Sequence, residues 1–87
     1  MLLEDILPAV RNGAKAARTG WNGDGMFIFL VNGSTFQVNR PPLNVIYPEG
    51  TVIDYNPHID VCMPDGSIGP WSCTQGDLMA DDWVEIG

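Results

Sequence analysis

The chain has 87 residues, room for one domain (1–87) and no second core. A domain this small buries only about 60–65% of the surface its unfolded chain exposes, so oligomerisation is a natural remedy for marginal stability. Four Lys+Arg against eleven Asp+Glu leave a net charge of -7. No basic stripe of the kind that holds a nucleic acid polymer can be drawn, and the same charge repels anionic membrane surfaces.

A small anionic ligand stays open, because one pocket can be locally positive or rich in N–H donors while the whole is acidic. At 45% hydrophobic, with three Trp, three Phe and two Tyr, the composition is that of a folded domain. Cys62 and Cys73 make neither a disulfide framework nor a metal-site spacing. The opening MLLEDILPAV carries acids where a signal peptide carries bases, and no apolar run approaches the ~20 residues of a membrane span. A reduced cytoplasm is the expected setting.

In chain order, Leu2, Leu3, Ile6, Leu7 and Val10 recur at helical spacing, and Asn12-Gly13 is a stop signal. Proline is tolerated near a first turn, so Pro8 predicts a short or bent helix. Residues 15–18 read as a short strand leading into the loop Thr19-Gly20-Trp21-Asn22-Gly23-Asp24-Gly25. In MFIFLVNGSTFQVN, Asn32-Gly33 between two β-rich runs predicts a two-residue type I′ hairpin. That turn sets Val31 opposite Ser34, Phe29 opposite Phe36 and Phe27 opposite Val38, and makes this the core face. The other face, from Met26, Ile28 and Leu30 to Thr35, Gln37 and Asn39, is half apolar and half polar and suits an interface or a ligand.

Arg40-Pro41-Pro42 ends the hairpin, since proline cannot donate to a ladder. Tyr47-Pro48-Glu49-Gly50 reads as a turn, residues 51–55 and 58–63 as strands, and Pro64-Asp65-Gly66-Ser67 as the turn after them. Residues 74–80 predict one or two helical turns with Thr74 or Ser72 as cap and Asp77 near the start. Residues 82–86 close the chain as a strand. The fold class is α+β: a small antiparallel sheet with an N-terminal helix and a short C-terminal one.

Few groups here support catalysis. His58 and Asp60 share one strand face, where a general base or a metal ligand can be built, but also where a histidine simply pairs with its neighbour. No activated serine or cysteine stands near by in sequence, and the acidic run Asp77, Asp81, Asp82, Glu85 lacks a calcium-loop spacing. No metal or cofactor is expected. Trp21 and Trp71 sit in Gly/Pro-flanked loops, where an indole either stacks on a purine or folds back over the sheet end; Trp83 reads as core. Arg18 and Arg40 are the guanidinium groups near these loops. They either hold a pyrophosphate or pair with carboxylates of the chain.

Taken in order, Ala17-Arg18-Thr19-Gly20-Trp21-Asn22-Gly23-Asp24-Gly25-Met26-Phe27, Asn39-Arg40-Pro41-Pro42, Pro57-His58-Ile59-Asp60, Asp65-Gly66-Ser67, Pro70-Trp71 and Thr74-Gln75-Gly76-Asp77-Leu78-Met79-Ala80-Asp81-Asp82-Trp83 resemble the Thoeris anti-defence family, second type, over essentially the whole chain. The resemblance implies a phage sponge: a non-enzymatic protein that captures cyclic ADP-ribose isomers (glycocyclic ADP-ribose) made by bacterial TIR-domain immune proteins, leaving the Thoeris effector unswitched. It also implies homo-oligomers, typically tetramers, with pockets at subunit interfaces; some relatives hold cyclic oligonucleotides. Carried over, Trp21, Asn22, Met26 and Phe27 line base and ribose. Arg18, Asn39 and Arg40 face the phosphates. Trp71, Ser72, Thr74, Gln75 and Asp77 contribute from a second loop, of the same or a neighbouring subunit. One departure stands out, Asp24 where the family often has lysine, which puts phosphate neutralisation there in doubt. The alternatives are a hydrolase built on His58 and Asp60, and a protein-interaction module using the mixed hairpin face.

Overall fold

The computed structural model describes residues 1–21 and 25–86. Helix α1 (Leu3–Arg11) buries Leu3, Ile6 and Val10 on one stripe. A nine-residue helix is marginal in water, so packing is what forms it. Each of those side chains contributes about 1.5–3 kcal/mol by leaving water. Pro8 lies inside α1 and does not end it. The carbonyl deprived of its partner is that of Glu4, and both residues are exposed, so water takes the N–H's place. Gly13, at φ +100, closes the helix with a bond from its N–H to the Val10 carbonyl (3.0 Å).

The strands that follow are β1 (Lys15–Arg18), β2 (Phe27–Val31), β3 (Ser34–Gln37), β4 (Val52–Tyr55), β5 (His58–Cys62), β6 (Ile68–Pro70) and β7 (Trp83–Ile86). A one-turn helix α2 (Leu43–Ile46) precedes β4, and α3 (Gln75–Met79) precedes β7. Five strands form an antiparallel sheet in the order β6-β5-β2-β1-β7. The α+β class, the terminal helices and the turns at residues 47–50 and 64–67 agree with the sequence reading; Gly50 and Gly66 hold those turns at φ +86 and +87.

The predicted hairpin does not form. Strand β2 pairs with β5, and β3 pairs with β4 in a separate two-stranded ribbon. A type I′ turn needs positive φ at both central residues, and neither Asn32 nor Gly33 has it. The register explains what replaces it. Phe27 faces Cys62 and Val31 faces His58; Ser34 faces Tyr55 and Gln37 faces Val52. Both ladders therefore share one count, with Asn32-Gly33 standing opposite Asn56-Pro57, where pairing lapses. The four strands make a single long arm, broken once. At Gly33 a Cβ would collide with the Tyr55 carbonyl oxygen, so glycine is required by close approach and not by turn geometry.

The core face is also the reverse of the expected one. Ile28, fully buried, and Leu30 turn toward α1 with Ile59, Val61, Ala16 and Trp83, while Phe27, Phe29 and Val31 occupy the outer face. The apolar pairs Ile28–Val61 and Leu30–Ile59 lie under α1, and that burial decides the choice. Beyond the break, residues 39–43 curl over the ribbon and Val38 becomes fully buried. An isolated two-stranded ribbon is marginal, and this small core supports it. The molecule extends 46 × 26 × 25 Å with a radius of gyration of 16.0 Å, against about 12 Å for a compact chain of this length.

Gly33→Ala is expected to destabilise the fold by about 1–3 kcal/mol through its backbone collision. Amide exchange at Val38, bonded to Thr51, should accelerate more than at Ile28; equal exchange at both would contradict this account of the break.

Candidate functional site

The expected binding residues separate into two places and one outlier. At the end of the sheet, Arg18 leaves β1 level with Trp83 of β7. Its Nε donates to Asp82 Oδ1 (2.8 Å) and its Nη1 to Asp77 Oδ1 (2.9 Å). Asp77 also accepts from Trp21 Nε1 (3.1 Å), and its backbone carbonyl accepts from Trp83 Nε1 (3.0 Å). Thr74 caps α3, its Oγ1 accepting from the Asp77 N–H (3.0 Å) while the Thr74 N–H reaches Asp77 Oδ2 (3.4 Å). Asp82 Oδ2 accepts from the Gly20 N–H (2.8 Å), which ties down the loop carrying Trp21.

Around this knot the indoles of Trp21 and Trp71 meet Trp83 edge-on, at centroid distances of 5.2 and 5.9 Å. Burial pushes the Asp77 carboxyl up, but hydrogen bonds from Arg18, Trp21 and Thr74 outweigh that and hold it below the usual carboxylate range. Asp82 is held low chiefly by Arg18, and Arg18 is raised by both carboxylates. Burial, then the Asp77 charge, raises the Cys73 thiol. Within the chain, Arg18 is thus already matched by two anions. Ser72 and Gln75 are exposed beside the knot, and Asn22 and Asp24 lie outside the described residues.

Asn39 and Arg40 are far along the arm. They border a cavity of about 390 Å³, walled by Phe36, Tyr55 and Pro42, with Gln37 beside them. The Phe36 and Tyr55 rings stand 5.1 Å apart and tilted by 52°. Among the described residues, Arg40 makes no ion pair. Phe27 is the outlier, on the outer sheet face with the Lys15 ammonium 5.0 Å from its ring centre; half-buried Met26 precedes it.

Sequence reading left the anions of Arg18 unnamed among the carboxylates, where the structure gives Asp77 and Asp82, and missed Phe36, Tyr55 and Gln37 as the company of Arg40. The latter three could have been found only from the β3–β4 register, which no local signal supplies. His58 Nε2 lies 3.2 Å from Asp60 Oδ1 and Nδ1 lies 3.3 Å from the Asn56 carbonyl oxygen, so both ring nitrogens have neighbours at the root of the arm. Among the described residues no group of three or more His, Cys, Asp and Glu could hold a metal ion, and no helix is long and apolar enough to cross a membrane.

The chain is thus a small α+β domain whose sheet end is closed by a polar network and whose arm bears an arginine-edged cleft. The sequence model of the Thoeris anti-defense 2-like domain matches residues 1–86, and the chain belongs to that family. It is similar to Thoeris anti-defense 2 of Bacillus phage SP01, at 26% identity over 94 residues, covering 95% of this chain and 91% of that protein. Membership assigns the chain a role against Thoeris defence.

The knot predicts acid sensitivity. Carboxyls held low in the folded state stabilise it at any pH above their unfolded value, about 3.9, and that contribution is lost as pH falls through the lower folded values. Urea midpoints should therefore stay level near neutrality and drop below about pH 4. Asp77→Asn should lower neutral stability by about 1–3 kcal/mol and flatten the acid limb; an unchanged limb would argue against the knot.

Proposed function

We propose that the chain captures a cyclic ADP-ribose isomer, glycocyclic ADP-ribose or a close analogue, in the bacterial cytoplasm and holds it uncleaved, so that the Thoeris effector is not activated. The observation carrying this reading is the arm cleft. Arg40, without an ion-pair partner among the described residues, and the amides of Asn39 and Gln37 stand beside the aromatic walls Phe36 and Tyr55. A guanidinium pairs with pyrophosphate oxygens, rings stack on adenine, and amides bond the ribose hydroxyls. The family resemblance supports the same ligand class and a homo-oligomer, a tetramer, in which a neighbouring subunit supplies the second wall through Trp71, Ser72 and Gln75. Arg18, Trp21, Thr74 and Asp77 serve in this reading by fixing that loop.

The energetics allow it. Nanomolar retention needs about -12 kcal/mol. A ligand of roughly 35 heavy atoms at about -0.3 kcal/mol each supplies about -10; the gap of about 2 kcal/mol is of the size that stacking on one base contributes, and burial between subunits slows release.

Incubation with a TIR-made cyclic ADP-ribose isomer followed by heat denaturation should return the ligand intact; recovery of a cleaved product would overturn sequestration. Arg40→Ala should weaken binding by about tenfold or more in calorimetry, and unchanged affinity would remove the arm cleft as the site.

A further inference from the structure

We propose that the wedge between the C-terminal end of α1 and the root of the arm binds a small aliphatic carboxylate, its chain inside the wedge and its charge on Arg11. The proposal stands apart from the cyclic-nucleotide reading and uses no residue of the arm cleft.

The chain has four Lys+Arg. Arg18 is taken by Asp77 and Asp82, and the Lys15 ammonium lies 5.0 Å from the centre of the Phe27 ring. Among the described residues the other two, Arg40 and Arg11, make no ion pair, and each borders a cavity. In a chain of net charge -7, a cation left without an anion beside a hollow is a local exception to the repulsion an anionic ligand meets elsewhere.

The cavity at Arg11 measures about 280 Å³ and is walled by Leu7 and Val10 of α1, Leu30 of β2, Ile59 of β5, and Pro57 where strand pairing lapses. Its walls come from the body on one side and the arm's root on the other, so an occupant bridges the two. Arg11 is exposed, so its guanidinium stays at the water's edge while its stem lies against the wall. The lining differs in kind from that of the arm cleft. It holds no amide to bond ribose hydroxyls. Its one aromatic ring, that of His58, belongs to the opposite face of β5 from Ile59, where Nε2 lies 3.2 Å from Asp60 Oδ1. No ring is thus offered to a base. Apolar walls with a single cation select an apolar chain that ends in one negative charge. The volume falls just under the range of about 300–1,000 Å³ that takes drug-sized ligands, so the chain is short.

The helix end opposes an anion only weakly. Carbonyls at a helix C-terminus carry partial negative charge, but those of Pro8, Ala9 and Val10 already accept from the N–H groups of Asn12, Ala14 and Gly13. Glu4, the acid on the same stripe of α1 as Arg11, is about two turns away.

Octanoate titrated into the full chain without nucleotide, followed by amide NMR, tests the site. Saturable shifts should gather at Leu7, Arg11, Leu30 and Ile59, with a dissociation constant of about millimolar or tighter. Hexanoate, two methylenes shorter, should bind about tenfold more weakly. Octanol, which has the chain without the charge, should also lose about tenfold. Arg11→Gln should weaken octanoate by the same factor and leave octanol unchanged. No saturable binding, shifts centred on Ile68 and Val84 of the outer sheet face or on Phe36 and Tyr55 of the arm cleft, hexanoate equal to octanoate, or octanoate indifferent to Arg11→Gln would each overturn the proposal. Should that variant not fold, octanol binding the parent as tightly as octanoate would overturn it instead.

Discussion

The structure turns on one carboxylate. Asp77 is 7% exposed, caps its own helix and accepts from Arg18 of β1 and the Trp21 indole, while its backbone carbonyl takes the Trp83 indole. Burying a charge is costly unless it is paired and hydrogen-bonded, and here every demand is met. Arg18 and Trp21 come from one distant stretch and Thr74 and Trp83 from its own neighbourhood, so satisfying it ties the end of β1 and its loop to α3 and the last strand. An 87-residue domain with one principal helix gains from that cross-linking what a larger core would otherwise supply.

The same economy leaves the arm free to reach outward. The sheet end is closed by polar contacts that pair Arg18 with the carboxylates of Asp77 and Asp82, so this arginine serves the scaffold. Arg40, at the opposite extremity, keeps its charge uncommitted within the described chain. Two arginines equivalent by composition are thus assigned different work by their surroundings. The body supplies rigidity; the arm carries a concave cleft walled by Phe36 and Tyr55 and edged by Arg40.

Local chemistry was legible in the sequence. The stripe of α1, the cap Thr74 with Asp77, the turns at Gly50 and Gly66, and Trp83 as core all follow from neighbours within a few residues. The ion-pair option for Arg18 was visible too, though not the identity of both anions. What could not be read was pairing at a distance. Asn32-Gly33 is the strongest short-range hairpin signal there is, yet β5 offers β2 an apolar partner under α1 that β3 cannot match. With that pairing wrong, the inward face of β2 came out inverted, and Tyr55 could not be brought to Arg40. The divided site follows from the same error: only the arm's register shows that Asn39 and Arg40 stand apart from the tryptophan knot.

The uninterrupted count across the break at Asn32-Gly33 and Asn56-Pro57 has a consequence for how such chains can vary in length. Side chains alternate between faces with period two, so adding one residue to each strand there would keep the arm internally intact. It would also rotate the cleft to the opposite side of the sheet and destroy any geometry shared with a neighbour. Insertions at this joint are therefore tolerable only as matched pairs of two, a parity rule that relatives with longer or shorter arms should obey.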